Sequence, residues 1–230
     1  YSNKEHKSNI KKIIKKNISG VINLSKERLI NELQKLLLSN DLVRLCKDEF
    51  SKEIILLIFP ELKNINIFNK LSKYSKNLIH SKDFIFLISL LIIDETDNSD
   101  YFLYKYNLSN ESKKRVNFLK EIYRKSAEKN TFTKKNLEKI FYFNGKSFLQ
   151  DMIDFQILKS KKNIKNLIKF KKYFNKIEKP LFPIKTMNIM QKYNIEEGIE
   201  LGQKLKILEN LWVENSFKIT DKEVDKVFLN

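Results

Sequence analysis

The chain has 230 residues, 42% of them hydrophobic, and a formal net charge of +17. That length allows a sizeable buried core. One cysteine excludes a disulfide framework, and two histidines exclude a metal site built from four His and Cys ligands. The most apolar run, residues 84–93, is shorter than the roughly 20 residues that span a bilayer, so we expect it to form a buried helix and expect no membrane partner.

Four glycines, three prolines and apolar residues repeating at helical spacing predict an almost wholly helical, all-α protein. The sequence has no internal repeat of fixed period, which argues against a helical solenoid. The predicted helices are residues 5–19, 26–38, 41–48, 51–58, 65–79, 82–93, 99–106, 110–129, 133–141, 145–157, 161–173, 195–215 and 221–228.

The first predicted helix separates isoleucines from lysines. We expect the isoleucines to form its buried face, namely Ile10, Ile13, Ile14 and Ile18. The outer face would then present a first basic cluster of Lys11, Lys12, Lys15 and Lys16.

In the next helix, Ser25 is a suitable N-cap and Glu27 lies in the first turn, where it complements the helix dipole. Arg28 and Glu32 are one turn apart on the polar side. An exposed ion pair between them would contribute roughly 0.3 to 0.5 kcal/mol. Further along, we expect Cys46 to be a core residue and residues 94–100, rich in acids, to form a solvated loop.

A second basic cluster, Lys113, Lys114 and Arg115, follows the predicted N-cap Ser109. Cations are mildly unfavourable in the first turn of a helix, so these three residues suggest a polyanion ligand. The alternative is an ordinary solvated face, as it is for every cluster here.

The third basic cluster carries seven lysines in fourteen residues and no acid. It is the best predicted RNA surface, because clustered cations bind phosphates and release counterions. We expect the neighbouring aromatic residues, Phe155, Phe170, Tyr173 and Phe174, to be core residues more than base-stacking platforms. The lysines are Lys159, Lys161, Lys162, Lys165, Lys169, Lys171 and Lys172.

The total charge has a compositional explanation as well. Four of the 45 basic residues are Arg and 41 are Lys, a bias that an AT-rich genome imposes on any protein. The clusters therefore carry more weight than the total.

Residues 179–215 contain two of the chain's three prolines and two of its four glycines, the residues that most often interrupt helices. Pro180 and Pro183 predict an extended linker. Asn194, with Glu197 three residues on, has the spacing of a capping box. Gly198 and Gly202 would lie one turn apart at the head of the stripe that ends at Trp212, and we expect another helix to pack closely against them.

This segment resembles the C-terminal tail of bacterial class II tRNA nucleotidyltransferases and related poly(A) polymerases. The matching residues are Phe182-Pro183-Ile184, Gly198, Gly202 and Trp212, whereas Thr186 and Asn188 replace a Gly and an Asp of the family's turn. Three further segments are similar to that family in the same order: residues 24–37, residues 56–62 with Phe-Pro-Glu-Leu, and residues 103–119.

The resemblance implies an elongated arrangement of neck (residues 1–80), body (81–175) and tail (176–230). In such an enzyme this part binds tRNA or another RNA 3′ end, and an N-terminal nucleotidyltransferase head domain adds CMP and AMP from CTP and ATP with Mg²⁺. It also implies that Arg28 and Glu32 brace the neck helices and that the protein is cytoplasmic.

The paired carboxylates and Gly-rich turn of such a head are not found in this sequence. We therefore expect the chain to be a part that follows the head, with no cofactor of its own and no activity alone. Two alternatives remain open, a helical protein-interaction module and a stand-alone RNA-binding protein. The sequence does not distinguish CCA addition from poly(A) synthesis.

Overall fold

The computed structural model describes residues 7–40, 42–160 and 164–229, and these residues form helices joined by loops and turns, without a strand. The predicted all-α class is confirmed. The helices are α1 Ser8–Lys16, α2 Ile18–Ile22, α3 Lys26–Leu37, α4 Leu42–Lys47, α5 Glu49–Ile58, a 3-10 helix Ile65–Lys70, α6 Lys73–His80, α7 Phe84–Ile92, α8 Asn98–Lys105, α9 Asn110–Lys125, α10 Lys134–Lys159, α11 Ile164–Lys176, α12 Thr186–Tyr193, α13 Ile199–Glu214 and α14 Asp221–Leu229.

Side-chain N-caps fix where several helices begin. In each, a Ser or Asp oxygen accepts a hydrogen bond from the backbone N–H three residues later, which typically contributes about 1 kcal/mol. Ser25 has this role as predicted, and so does Ser109. The other caps of this kind are Asp48, Ser72 and Asp83.

The chain forms two compact units. Unit 1 comprises residues up to Ser126 together with Asp151–Ile164. Its centre is α7, in which every residue except Ile85 is buried. Helices α3, α8 and α9 pack against α7, so the expected buried helix is confirmed. Cys46 is also buried, as predicted, and burial raises the pKa of its thiol to about 12.

Unit 2 comprises Ala127–Gln150 and Lys165–Asn230. One of its clusters is aromatic, with Tyr142 and Trp212 edge to face at 5.3 Å between ring centres. Phe182 and Phe217 pack on the same indole. A second, largely aliphatic cluster is built from Ile189, Leu201, Leu208, Val224 and Phe228. The division into neck, body and tail stays a prediction.

Several predicted helices have different bounds in the structure. The first ends at Lys16, because the Asn17 amide donates to Ile13 O at 2.9 Å and α2 starts afresh. The predicted helix 65–79 is divided, since Ser72 caps a new helix after the 3-10 turn. The predicted gap between residues 141 and 145 is a kink at Gly145, whose φ of 87° favours glycine.

The prediction for the segment after Pro183 was wrong in two respects. Residues 186–193 form helix α12, and Asn194 ends it in the left-handed conformation (φ 49°), so Asn194 is a C-cap and not an N-cap. Helix α13 begins later, with Gly198 as its N-cap and without the predicted capping box. The amide of Asn194 tolerates positive φ better than most side chains, which suits it to this position.

The expected close packing at the two glycines was also wrong. A methyl group placed on Gly198 or Gly202 would meet nothing within 4 Å, and both residues are exposed. The buried part of α13 lies further along, at residues such as Leu208 and Trp212.

The predicted buried face of the first helix was wrong as well. Within α1, Ile13 is 60% exposed and Ile10 is 40% exposed, while Ile14 and the nearby Ile18 are only half-buried. The reason is that lysines of this helix contact α5, as described below.

Candidate nucleic-acid interface

Helix α11 of unit 2 has one buried side and one lysine side. Leu167 and Phe174 are buried. The opposite side carries exposed lysines at positions i, i+4, i+7 and i+11, which bring their side chains into a single row. At 1.5 Å per residue this row is about 16 Å long. We call it the α11 stripe: Lys165, Lys169, Lys172 and Lys176.

The buried side fixes the orientation of the α11 stripe. The ring of Phe174 is fully buried and lies 5.4 Å from that of Phe141 on α10. A second attachment is made by Asn175, whose side-chain oxygen accepts from Gln150 and whose carbonyl oxygen accepts from Lys146 Nζ at 3.1 Å. These contacts leave the lysine row facing solvent.

The charge of α11 is all of one sign. The helix contains no Asp or Glu. Lys134 Nζ lies 5.2 Å from the centre of the exposed Tyr173 ring. The same ammonium forms an ion pair with Glu138 Oε1 at 3.6 Å. Exposed cations held in a row, without neighbouring acids on the same helix, bind a phosphate backbone through counterion release.

The aromatic residues near the third cluster are mainly core residues, as expected. Phe155 and Phe174 are buried, and Phe170 is half-buried. Tyr173 differs, with 41% of its surface exposed. The α11 stripe itself therefore offers phosphate contacts and no row of stacking platforms.

Lys159, from the same predicted cluster, belongs to unit 1, whereas the α11 stripe belongs to unit 2. Its ammonium donates to Ile93 O at 2.9 Å and lies near the rings of Tyr123 and Phe155, at 5.1 and 5.6 Å from their centres. Burial lowers the pKa of Lys159 to about 8, against the weaker opposing effect of Asp94. Lys161 and Lys162 fall outside the described residues, and Lys171 is half-buried.

In the second predicted cluster, Arg115 makes internal ion pairs. Its Nε lies 2.6 Å from Asp151 Oδ2, and a terminal nitrogen lies 2.7 Å from Asp83 Oδ2. Burial works against the charge of Arg115, but the two aspartates outweigh it and raise the pKa of the guanidinium. Of its neighbours, Lys114 is exposed and Lys113 is half-buried.

The same network includes ion pairs between one lysine and two buried aspartates. Lys82 Nζ lies 2.6 Å from Asp154 Oδ2 and 3.4 Å from Asp151 Oδ1, and both aspartates are buried. The network joins α9, α10 and the start of α7. Removing one partner of a buried charge pair leaves the other charge uncompensated, which is destabilising. Its arrangement favours a structural role for Arg115.

The first predicted cluster is divided between two sides of α1. Lys15 Nζ is 2.6 Å from Glu53 Oε1, and Lys11 Nζ is 5.3 Å from the centre of the Phe50 ring. Lys12 and Lys16 are exposed to solvent. Only the latter two remain available to a polyanion without giving up a contact on α5.

The ion pair expected between Arg28 and Glu32 forms instead between Glu32 and Lys35. Glu32 Oε1 accepts from Lys35 Nζ at 2.8 Å, in an exposed pair one turn apart. Arg28 is exposed on the same helix. The bracing role of Arg28 and Glu32 stays a prediction.

Two kinds of basic residue escaped the sequence prediction. Lys176 continues the spacing of Lys172 by one turn, so extending the predicted helix beyond residue 173 would have included it. Lys134 and Lys146 reach α11 from α10, and no local spacing could have indicated that.

No cluster with metal-binding chemistry occurs among the residues that the structure describes, since no three His, Cys, Asp or Glu side chains there could hold an ion together. Asp94 accepts from both the N–H and the hydroxyl of Thr96, and Asp100 pairs with Lys120 at 2.6 Å. The acidic run is thus a loop at residues 94–97 followed by the first turn of α8.

No helix in the described part of the chain is long and apolar enough to cross a membrane. No protein-family model matches the chain, and no curated protein gives a significant match.

Proposed function

We propose that this chain binds RNA and that the α11 stripe is its principal contact with the phosphate backbone. The observation that carries the proposal is the row of four exposed lysines opposite the buried Leu167 and Phe174, on a helix without acids. Lysine acts as a point charge, so such a row grips the backbone without reading sequence.

The resemblance to tRNA nucleotidyltransferases supports a more specific proposal. On that basis the chain holds tRNA, or another RNA 3′ end, for a nucleotidyltransferase head domain that carries the catalytic carboxylates and uses ATP or CTP with Mg²⁺. Such an enzyme acts in the cytoplasm, in tRNA processing. Residues 1–230 alone would then bind RNA and transfer no nucleotide.

A gel-shift titration tests both levels of the proposal. The RNAs are a mature tRNA, a tRNA that lacks its T-arm and an unrelated hairpin of equal length, each at two salt concentrations. We expect the intact tRNA to bind best and its affinity to fall steeply with salt.

The remaining outcomes separate the alternatives. Equal, salt-sensitive binding of all three RNAs would favour a stand-alone RNA-binding protein and would contradict the tRNA assignment. If none of the three RNAs binds, the proposal of RNA binding is contradicted. The helical protein-interaction module is then the remaining alternative.

A further inference from the structure

Two lysines of helix α1, in unit 1, contact helix α5. Lys15 pairs with Glu53 at 2.6 Å, and the ammonium of Lys11 lies 5.3 Å from the centre of the Phe50 ring. Both partners belong to α5. Because these contacts set the rotation of α1, Ile10 and Ile13 are directed away, with 40% and 60% of their surface exposed.

Exposed apolar surface continues into the next helix, where Val21 is 36% and Ile22 is 46% exposed. Isolated exposed apolar residues are ordinary, but a consecutive pair of short helices with no buried residue is not. A partner that removes these side chains from water would gain free energy in proportion to the area covered.

Charge identifies the class of partner. Residues 7–22 contain five lysines and no acid. Lys12 and Lys16 are exposed, and Lys16 lies one turn from Ile13, so these two side chains are neighbours on the helix surface. The partner must therefore accept apolar side chains and lysines within the same few ångströms.

Two other partners fit this surface poorly. RNA offers phosphates but no apolar layer for the isoleucines. A second copy of the chain, related by two-fold symmetry, would bring Lys12 and Lys16 of both copies together, and like charges across an interface oppose association.

We propose that α1 lies on an anionic lipid bilayer, with Ile10 and Ile13 in the interfacial layer and Lys12 and Lys16 at the lipid phosphates. Amphipathic helices with a lysine-rich polar side bind membrane surfaces in this way. The association is with the surface and requires no spanning helix, but it departs from the expectation of no membrane partner that was drawn from the short apolar run. It is independent of RNA binding by the α11 stripe.

Co-sedimentation with lipid vesicles tests the proposal on the full chain. The vesicles contain phosphatidylserine mixed with phosphatidylcholine, or phosphatidylcholine alone. We expect binding to the mixed vesicles and little to the neutral ones. The double variant Ile10→Gln/Ile13→Gln should weaken partitioning about tenfold, because it removes the two isoleucines proposed to enter the interfacial layer.

Matched variants separate this surface from general effects. Leu181→Gln/Ile199→Gln changes two residues that are 89% and 82% exposed in unit 2, and it should leave vesicle binding unchanged. Lys12→Gln/Lys16→Gln should weaken binding severalfold, and more than Lys206→Gln/Lys226→Gln, which removes two exposed lysines of unit 2. All four variants alter exposed positions, so circular dichroism should show an unchanged fold.

Three results would overturn the proposal. One is equal binding to neutral and anionic vesicles, and another is an equal loss of binding in the test and control variants. The third is an absence of binding to the phosphatidylserine-containing vesicles. Self-association in sedimentation velocity that Ile10→Gln/Ile13→Gln abolishes would then show that a second copy covers the surface.

Discussion

Helices α1 and α11 are similar in sequence pattern but differ in which side chains they expose to solvent. Both alternate isoleucine, leucine or phenylalanine with lysine, and neither contains an acid. In α11 the apolar side is buried and the lysines face solvent. In α1 two lysines contact α5 and two isoleucines face solvent. An amphipathic pattern thus indicates two distinct faces, but the neighbouring elements decide which face is covered.

Truncation of one apolar residue on each helix should give the largest difference. Phe174→Ala leaves a cavity in unit 2 and should lower the free energy of unfolding by about 3 to 5 kcal/mol. Ile13→Ala removes an exposed side chain and should change it by less than about 0.5 kcal/mol. Urea denaturation of both variants measures the contrast, and comparable losses would show that α1 buries its isoleucines after all.

A half-buried lysine outside both helices provides a second test, because its shifted pKa makes the stability of the fold depend on pH. The pKa of Lys159 is lowered to about 8 from its ordinary value of 10.5. Between these values the unfolded chain holds the proton that the folded chain has released, so stability rises with pH through this window. The expected rise is on the order of 3 kcal/mol.

The control for this effect is Lys159→Met, which keeps the aliphatic volume and removes the titrating group. The difference in unfolding free energy between wild type and variant, measured at about pH 7 and about pH 10, cancels other titrations. The difference should shift in favour of wild type at the higher pH. A pH-independent difference would show that Lys159 keeps an ordinary pKa.

The attachment of α1 should give the smallest effect. Glu53 and Lys15 are both about half exposed, so solvent screens their pair and its contribution to stability is in the range of about 0.2 to 1 kcal/mol. Lys15→Gln should therefore destabilise slightly, and Lys12→Gln, on the solvent side of the same helix, should not. Thermal denaturation in low and high salt compares them, and the loss from Lys15→Gln should shrink as salt rises.

Much of the architecture could be predicted from local sequence because it depends on local interactions. Ser25 and Ser109 cap helices through contacts three residues away, and the run at residues 84–92 is so apolar that burial is its only stable environment. Three of the four lysines of the α11 stripe belonged to the predicted third cluster, and helical spacing places them opposite Leu167 and Phe174.

Most of the failures have a different cause, which is contact between residues distant in sequence. Lys15 meets Glu53 across 38 residues, so a lysine that was expected on the outer face of α1 contacts α5. Arg115 finds Asp151 across 36 residues, and Lys159 finds Ile93 across 66, so two predicted RNA contacts have internal partners. Asn194 was misplaced for a local reason, because asparagine suits an N-cap and also occurs in the left-handed conformation at helix C-termini.

The measurement that tests RNA binding by the α11 stripe most directly is the salt dependence of RNA affinity in two charge-matched variants. One replaces Lys165, Lys169, Lys172 and Lys176 by Gln. The other replaces four exposed lysines elsewhere in unit 2 by Gln, namely Lys206, Lys218, Lys222 and Lys226.

If the stripe is the interface, its variant loses most of the affinity, and the slope of log K against log salt becomes shallower by about 3. The control variant should retain nearly the wild-type slope. Equal losses in the two variants would contradict the account, because the chain would then attract RNA through its overall charge alone.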